Sequence, residues 1–162
     1  MGNINIFNFE NNNNFIIEIW DRILSIFNHR EKYTKDSVHI LFIDDSDMPV
    51  VSSLKKAQYK VKKINDINDI DDPEIKNSQI IFVDFDGVGR IISPQHQGAG
   101  LIKELKAKYG ATKYVVLYTA QITLPSDTTM NSLFNIADDK MRKDSDVTDF
   151  TEQIRKAIKK LK

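Results

Sequence analysis

Aspartate residues follow two of the most apolar runs of the sequence. Asp44 and Asp45 end the run VHILFI, and Asp84 ends the run QIIFV, with Asp86 and Gly87 close behind. Three carboxylates brought together would raise each other's pKa unless a cation joined them. Clustered oxygen ligands suit Mg²⁺, which also keeps waters and contacts phosphate oxygens. These residues predict metal-assisted phosphoryl chemistry, provided that the fold brings the two apolar runs together.

A hydroxyl and an ammonium group end two later runs. Thr119 closes KYVVLYT, and Lys143 closes IADDKMRK. A threonine hydroxyl can donate a hydrogen bond to a phosphoryl oxygen, and lysine supplies a compact positive charge. Both are groups that a site handling phosphate needs beside its carboxylates.

The elements that must position these residues alternate along the chain. Apolar patterning predicts strands at 38–43, 59–64, 79–84, 113–119 and 136–143. It predicts helices at 49–58, 99–110, 126–135 and 147–162, with a weak helix or loop at 65–78. Three of the strands are almost wholly apolar, which is typical of parallel strands covered on both faces. The prediction is an α/β fold with a five-stranded, doubly wound parallel sheet, whose carboxyl edge collects the polar residues.

Local signals give further expectations. Asp47 is a plausible cap for the helix at 49–58, and Pro49 suits its first turn. Gly110 is expected to end the helix at 99–110. The strand at 59–64 is more polar than the others and is therefore expected near an edge of the sheet.

The N-terminal part of the chain reads differently from the rest. Residues 1–36 form an Asn-rich extension with an amphipathic helix at about 15–28, and residues 37–162 form the main domain. The apolar face of that helix is wider than a lone surface helix tolerates. We expect it to dock on the main domain or on a second copy of the chain, which would make a homodimer.

Composition excludes several classes of partner. Lys plus Arg and Asp plus Glu are both 23, so the formal net charge is zero and direct nucleic-acid binding is not expected. The chain has no cysteine, which favours a reducing cytoplasm. No secretory signal is visible, and the longest apolar segment falls short of the ~20 residues that span a bilayer.

Over about residues 38–162 the sequence resembles the receiver domain of two-component response regulators. The residues that carry the resemblance are the pair in LFIDDSD, Asp84 in IFVDFD, Thr119 in VVLYTA and Lys143 in ADDKMRK. The resemblance implies that Asp84 accepts a phosphoryl group from a phosphorylated histidine of a kinase or phosphotransfer protein. It implies Mg²⁺ held by Asp45, Asp84 and the backbone carbonyl of Asp86, with Asp44 acting through water.

In this reading Thr119 and Lys143 reposition around the phosphoryl group, and that change switches contacts with a downstream protein. The chain would be a stand-alone receiver without an effector domain, and a signalling protein rather than an enzyme. It departs from the family pattern at 87–89, where GVG follows the phosphoacceptor, and at Asp144, which replaces a proline. Lys140 stands where the family often has an aromatic residue, and the connection at 88–100 is long.

Two alternatives remain open from the sequence. VDFDGV also resembles the first motif of haloacid-dehalogenase-type phosphatases, with Asp84 as nucleophile, Asp86 as general acid and Thr119 in the second motif. Asp138–Asp139 would then be the acidic pair, but the lysine expected before that pair is missing from 120–137. The other alternative is a receiver-like module that binds partners without phosphorylation.

Overall fold

The computed structural model describes residues 33–120 and 128–161, together with Ile19. The described strands and helices belong to one compact unit, Glu31–Lys162. Apart from Ile19, the helix expected at about 15–28 lies outside the described residues. Within the described part of the chain, no helix combines the length and apolar character needed to cross a bilayer.

Five strands and five helices alternate in the described part of this unit. The strands are β1 His39–Ile43, β2 Lys60–Ile64, β3 Ile80–Asp84, β4 Tyr114–Thr119 and β5 Asp139–Arg142. The helices are α1 Pro49–Lys56, α2 Pro73–Asn77, α3 Gln97–Tyr109, α4 Thr128–Phe134 and α5 Val147–Lys160. A short 3₁₀ turn, Gly110–Thr112, precedes β4. The predicted order of elements is confirmed, with boundaries shifted by a few residues.

The strands form one parallel sheet in the order β2-β1-β3-β4-β5. The predicted five-stranded, doubly wound parallel sheet is therefore confirmed. The more polar strand β2 occupies an edge, as its sequence indicated. Between β1 and β3 the chain changes the direction in which it adds strands, and such a switch point opens a crevice at the carboxyl ends of the strands.

Alternate residues of the central strands face two separate cores. Phe42 and Phe82 pack with α1 and α5 on one face, whereas Leu41 and Ile81 pack with α2, α3 and α4 on the other. Every residue of β3 and β4 is buried. Burying a large apolar side chain stabilises the fold by about 1.5–3 kcal/mol, so the central strands are the most strongly held elements.

An aromatic cluster lies in the first of these cores. The rings of Phe42 and Phe82 stack with centroids 4.4 Å apart, and Tyr118 meets both edge-on at 6.0 and 6.3 Å. Phe150 of α5 covers the stacked pair. Such pairs contribute about 0.5–1.5 kcal/mol beyond their burial. The cluster fixes the carboxyl ends of β1, β3 and β4 relative to each other.

The helix ends follow the sequence signals in part. Asp47 does not cap α1: the N-cap is Met48, without a side-chain cap bond, although Pro49 does open the helix. The expectation for Asp47 was wrong because Met48 takes the capping position, one residue later. Gly110 ends α3 as expected, with φ +52. Asp146 and Asp149 form a capping box at the start of α5.

Candidate functional site

Four strand ends bring the candidate residues to one edge of the sheet. Ile43 pairs with Val83, so Asp44 and Asp84 each occupy the next position on adjacent strands. Asp84 itself pairs with Tyr118, the residue before Thr119. Lys143 follows β5, and its backbone N–H donates to the carbonyl of Thr119 at 2.9 Å. The juxtaposition expected from the parallel sheet is present.

The three carboxylates form one cluster. Asp44, Asp45 and Asp84 each offer an oxygen, and these oxygens lie within 4.8 Å of one another. Asp44 and Asp84 are 1% and 4% exposed, whereas Asp45 faces solvent. The cluster is thus half enclosed, and Asp45 lies on its solvent-facing side, called its mouth below. The Arg90 guanidinium lies 3.8 Å from the Asp45 carboxylate, beside that mouth.

Lys143 bridges the two buried carboxylates. Its ammonium donates to Asp84 Oδ2 at 2.5 Å and lies 3.0 Å from Asp44 Oδ2. Burial by itself would lower the pKa of Lys143, but the hydrogen bonds from its ammonium to Asp84 and Asp44 raise it above the usual value. Lys143 therefore stays charged. Lys140, the nearby lysine, instead donates to Asn135 Oδ1 and lies over the Phe134 ring.

Tyr118 is a member of the site that the sequence reasoning missed. Its buried hydroxyl donates to Asp44 Oδ2, and the Ser46 N–H donates to Asp44 Oδ1 at 2.7 Å. Both oxygens of Asp44 are thus occupied by protein donors. A hydroxyl-bearing ring in an otherwise apolar run, beside a candidate site residue, was the available signal. It suggests a tyrosine whose hydroxyl needs a buried partner.

The two buried carboxylates have opposite pKa shifts. Burial raises the pKa of Asp84. The hydrogen bond and positive charge of Lys143 lower it, but by less than burial raises it. Burial would also raise the pKa of Asp44, but hydrogen bonds from Tyr118, Ser46 and Lys143 together hold that pKa below the usual range. The charge of Asp44 is stabilised by the fold. The charge of Asp84 is tolerated at a cost, which a second cation could offset.

This contrast predicts opposite effects of two isosteric substitutions. Asp84 binds its proton more tightly in the folded protein, so its charged form costs stability as pH rises through the folded pKa. Asp44 binds its proton less tightly, so it stabilises the fold above the usual pKa and that gain is lost in acid. At pH 7 without divalent cations we expect Asp84→Asn to raise, and Asp44→Asn to lower, the free energy of unfolding, each on the order of 1 kcal/mol.

Urea unfolding across the pH range checks this prediction. Both differences should shrink toward zero well below pH 3.8, the ordinary pKa of an aspartate, where both carboxyls are protonated in either state. A shift of the same sign in both variants at pH 7 would contradict the assigned environments.

Asp86 and Thr119 occupy different positions around the cluster. The side chain of Asp86 is exposed, and its backbone N–H donates to Asp84 Oδ1 at 3.4 Å. Thr119 is buried at the end of β4, next to Tyr118. The structure thus brings all six predicted residues to one rim of the sheet. Asp86 is fixed there through its backbone, and Asp44, Asp45, Asp84 and Lys143 through their side chains.

The donor set fits a hard divalent cation. Carboxylate oxygens are the ligands that Mg²⁺ prefers, and two of the three carboxylates lie in a largely buried pocket. Both oxygens of Asp44 accept short hydrogen bonds, from Tyr118 and Ser46, whereas Asp84 Oδ1 accepts a long one of 3.4 Å from the Asp86 N–H and Asp45 faces solvent. A cation between them would also relieve the unfavourable charge of Asp84.

The phosphatase alternative loses its acidic pair in this geometry. Asp138 accepts from the N–H of Val115 at the start of β4, and Asp139 begins β5. Both therefore lie at the amino ends of the strands, whereas Asp84 lies at the carboxyl end of β3. Lys106 pairs with Asp138 at that opposite edge. The geometry does not support a role for this pair beside Asp84.

Comparison with known proteins identifies the fold. No protein-family model matches the sequence, and no curated protein matches it in sequence. Solved structures do match. A response regulator from Thermotoga maritima is 18% identical, with a TM-score of 0.53, covering 75% of this chain and 98% of its own. The BeF3-activated N-terminal receiver domain of RstA from Klebsiella pneumoniae is 18% identical, with a TM-score of 0.55 and coverage of 74% and 97%.

A third solved structure extends the comparison. The signal receiver domain of a putative Luxo repressor protein from Vibrio parahaemolyticus is 16% identical, with a TM-score of 0.58 and coverage of 76% and 92%. The chain thus covers nearly the full length of each of these structures. At this identity the comparison establishes architecture, and it agrees with the five-stranded sheet and its flanking helices.

Proposed function

We propose that this chain, which has the fold of response-regulator receiver domains, accepts a phosphoryl group on Asp84 and thereby switches its contacts with another protein. One observation carries the proposal. Asp84 ends the central strand, is itself buried, and lies in a cluster with buried Asp44 and exposed Asp45, and its carboxylate already contacts the ammonium of Lys143. A carboxylate so placed is a nucleophile with a cation beside it, where the charge of an incoming phosphoryl group would develop.

The proposed donor is a phosphohistidine on a histidine kinase or phosphotransfer protein. A carboxylate oxygen of Asp84 attacks the phosphorus, the P–N bond breaks, and its electron pair returns to the imidazole. The product is an aspartyl phosphate. Attack of water on the phosphorus later regenerates the Asp84 carboxylate and releases inorganic phosphate. No steady turnover of a separate substrate is involved, so the chain acts as a signalling protein rather than as an enzyme.

The surrounding residues have distinct roles in this proposal. Asp45, Asp84 and the backbone carbonyl of Asp86 would hold Mg²⁺, with Asp44 acting through water. When bound, the cation would neutralise charge on the transferring phosphoryl group. Lys143 would exchange its present bond to Asp84 Oδ2 for one to a phosphoryl oxygen. The Thr119 hydroxyl would donate to another phosphoryl oxygen.

The switch follows from that exchange of partners. Lys143 at present links Asp84 and Asp44 by its ammonium and Thr119 by its backbone. A phosphoryl group on Asp84 adds negative charge and strong hydrogen-bond acceptors beside Lys143 and Thr119. The contacts of these two residues would change, and with them the positions of the carboxyl ends of β4 and β5. The downstream target would be a protein in the cytoplasm that recognises the altered surface. The division into residues 1–36 and 37–162, and the dimer through the N-terminal helix, belong to the same proposal.

Phosphorylation by a small donor tests the proposal directly. Incubation with acetyl phosphate and millimolar Mg²⁺ should add one phosphoryl group, which intact-mass spectrometry detects. The same incubation with a chelator in place of Mg²⁺ should give no labelling. Asp84→Asn should abolish labelling. Asp86→Asn is the matched control and should keep it, because Asp86 is proposed to contribute only its backbone.

Two outcomes would favour the alternatives. Steady hydrolysis of a generic phosphomonoester that Asp86→Asn abolishes would support the phosphatase. Absence of both labelling and Mg²⁺ binding in the wild-type chain would support a module that acts without phosphorylation.

A further inference from the structure

In the segment between β3 and α3, one peptide unit is hydrogen-bonded to the side chain of the residue that begins α3. The backbone N–H of Gly87 donates to Oε1 of Gln97, the first residue of α3, at 2.7 Å. Because the partner is an N–H donor, the facing side-chain atom must be the oxygen. This bond crosses ten positions of sequence and ties the start of the segment to its end.

The bond orients the carbonyl of Asp86. Asp86 C=O and Gly87 N–H belong to the same peptide plane, and in a trans peptide they point in opposite directions. With the N–H directed at Gln97, the carbonyl oxygen points away from Gln97. The preceding peptide is held as well, since the Asp86 N–H donates to Asp84 Oδ1. Two successive peptide units next to the cluster therefore have defined directions.

This peptide lies against the acidic cluster. A Cβ placed on Gly87 would lie 2.5 Å from Asp45 Oδ2, so the α-carbon of Gly87 packs against that carboxylate. Gly87 has φ +85, in the region that favours glycine. Glycine fits the tight approach, but it also permits the peptide on its N-terminal side to rotate at little cost. A bond from outside is needed to keep that peptide in one orientation.

Gln97 itself adopts an unusual backbone. Its φ is +46, in the left-handed region, which costs a residue other than glycine about 1–2 kcal/mol. Its own N–H donates to the carbonyl of Ser93 at 2.7 Å, and the next residue, Gly98, packs directly on the carbonyl oxygen of Asp84. The surroundings hold the backbone of Gln97 in a strained conformation from which its side chain reaches Gly87. Strain retained beside a candidate site is a reason to look for a role there.

We infer that Gln97 is a positioning residue that holds the Asp86 carbonyl ready to bind the divalent cation. The inference rests on the proposed function, which makes that carbonyl a metal ligand. Gln97 suits the task because an amide oxygen accepts the Gly87 hydrogen bond without adding a fourth negative charge near Asp44, Asp45 and Asp84. Outer partners of this kind typically change metal affinity 10–100-fold when removed.

Three variants of the full chain separate positioning from simple loss of stability. Gln97→Asn tolerates the left-handed backbone but is one methylene too short to keep the bond, and Gln97→Gly removes both strain and side chain. Gln95→Asn, on the exposed part of the same segment, is the matched control. Urea unfolding of both Gln97 variants should stay within about 1 kcal/mol of wild type.

Two measurements are then made on the unphosphorylated protein. Isothermal titration calorimetry with Mg²⁺ should show roughly tenfold weaker binding in both Gln97 variants and no change in Gln95→Asn. Without metal, NMR-detected hydrogen exchange of the Gly87 amide should be roughly tenfold faster in the Gln97 variants than in wild type. At limiting Mg²⁺ the rate of labelling by acetyl phosphate should be lower in the Gln97 variants than in wild type. This rate should recover when the Mg²⁺ concentration is raised, because only the occupancy of the metal site is impaired.

The outcomes distinguish this inference from the proposed function. If wild type binds Mg²⁺ and the Gln97 variants bind it equally well, the inference is overturned while the proposed function stands. If wild type binds no Mg²⁺, the proposed function fails and the inference fails with it. If the labelling rate of the Gln97 variants stays low at saturating Mg²⁺, the inference is also overturned, because a positioned metal ligand would affect only Mg²⁺ binding.

Discussion

Replacing Gly98 with alanine is expected to destabilise the protein by about 3 kcal/mol or more, and to weaken the proposed binding of Mg²⁺ by the protein that still folds. A Cβ on Gly98 would lie 1.8 Å from the carbonyl oxygen of Asp84 and 2.9 Å from that of Phe85. Both obstacles are backbone atoms, so no side-chain rotation can relieve the clash. The end of β3 or the start of α3 has to move, and either movement displaces the Asp84 carboxylate.

Gly100 provides the matched control for this prediction. A Cβ there would also be too close to a neighbour, at 2.0 Å from Ser93 Oγ. In this case the neighbour is a side chain, so Ser93→Gly should rescue most of the stability lost in Gly100→Ala. Gly98→Ala should have no such rescue. Denaturant unfolding of the single and double variants, with calorimetry of Mg²⁺ binding, checks the prediction. A loss in Gly98→Ala no larger than in Gly100→Ala would contradict the close packing of α3 on β3.

Replacing Lys143 with methionine is expected to lower the free energy of unfolding by about 3 kcal/mol at pH 7 without divalent cations. Methionine keeps an unbranched apolar stem, one atom shorter than lysine, but removes the cation shared by Asp44 and Asp84, which are almost fully buried. Removing one partner of such a group leaves uncompensated charge. The loss should diminish as pH falls and Asp84, whose pKa burial already raises, becomes protonated.

The same variant should respond more strongly to Mg²⁺ than wild type does. A divalent cation would supply the missing positive charge, so millimolar Mg²⁺ should recover much of the lost stability in Lys143→Met. Labelling by acetyl phosphate should nevertheless remain slow, because the ammonium that would meet the phosphoryl oxygen is gone. Lys140→Met is the control: Lys140 contacts Asn135 and the Phe134 ring, away from the cluster. Equal losses in the two lysine variants, with no restoration by Mg²⁺, would contradict the bridging role of Lys143.

The chain order of the elements and the placement of the site could be predicted from local patterns. The runs at 38–43, 79–84 and 113–119 are almost wholly apolar, which indicated parallel strands buried on both faces. Parallel strands end at a common edge, so the positions of Asp44, Asp84 and Thr119 in the sequence were enough to predict that they meet. Both steps depend on periodicity and on general rules of α/β topology, which short stretches of sequence carry.

The partners of buried polar groups could not be predicted in this way. Lys113 directly precedes β4 and would ordinarily be read as a surface residue, yet it is buried and donates to the backbone carbonyls of Lys76 and Ser78. Burial lowers the pKa of Lys113 to about 8. Tyr118 likewise reads as one more apolar strand residue, although its hydroxyl holds Asp44. In each case the partner comes from another part of the chain.

The sequence by itself therefore determined which elements form and which residues reach the carboxyl edge of the sheet. Only the tertiary structure decided how those residues are paired: Asp44 anionic and fully hydrogen-bonded, Asp84 buried with a raised pKa, and Gln97 bound to the peptide after Asp86. The physical reason is the separation along the chain over which each kind of interaction acts. Strand and helix formation follows the spacing of apolar residues over a few positions. Charge and hydrogen bonding at the site depend on distances between atoms of β1, β3, β4 and the segment before α3, which exist only once the sheet has assembled.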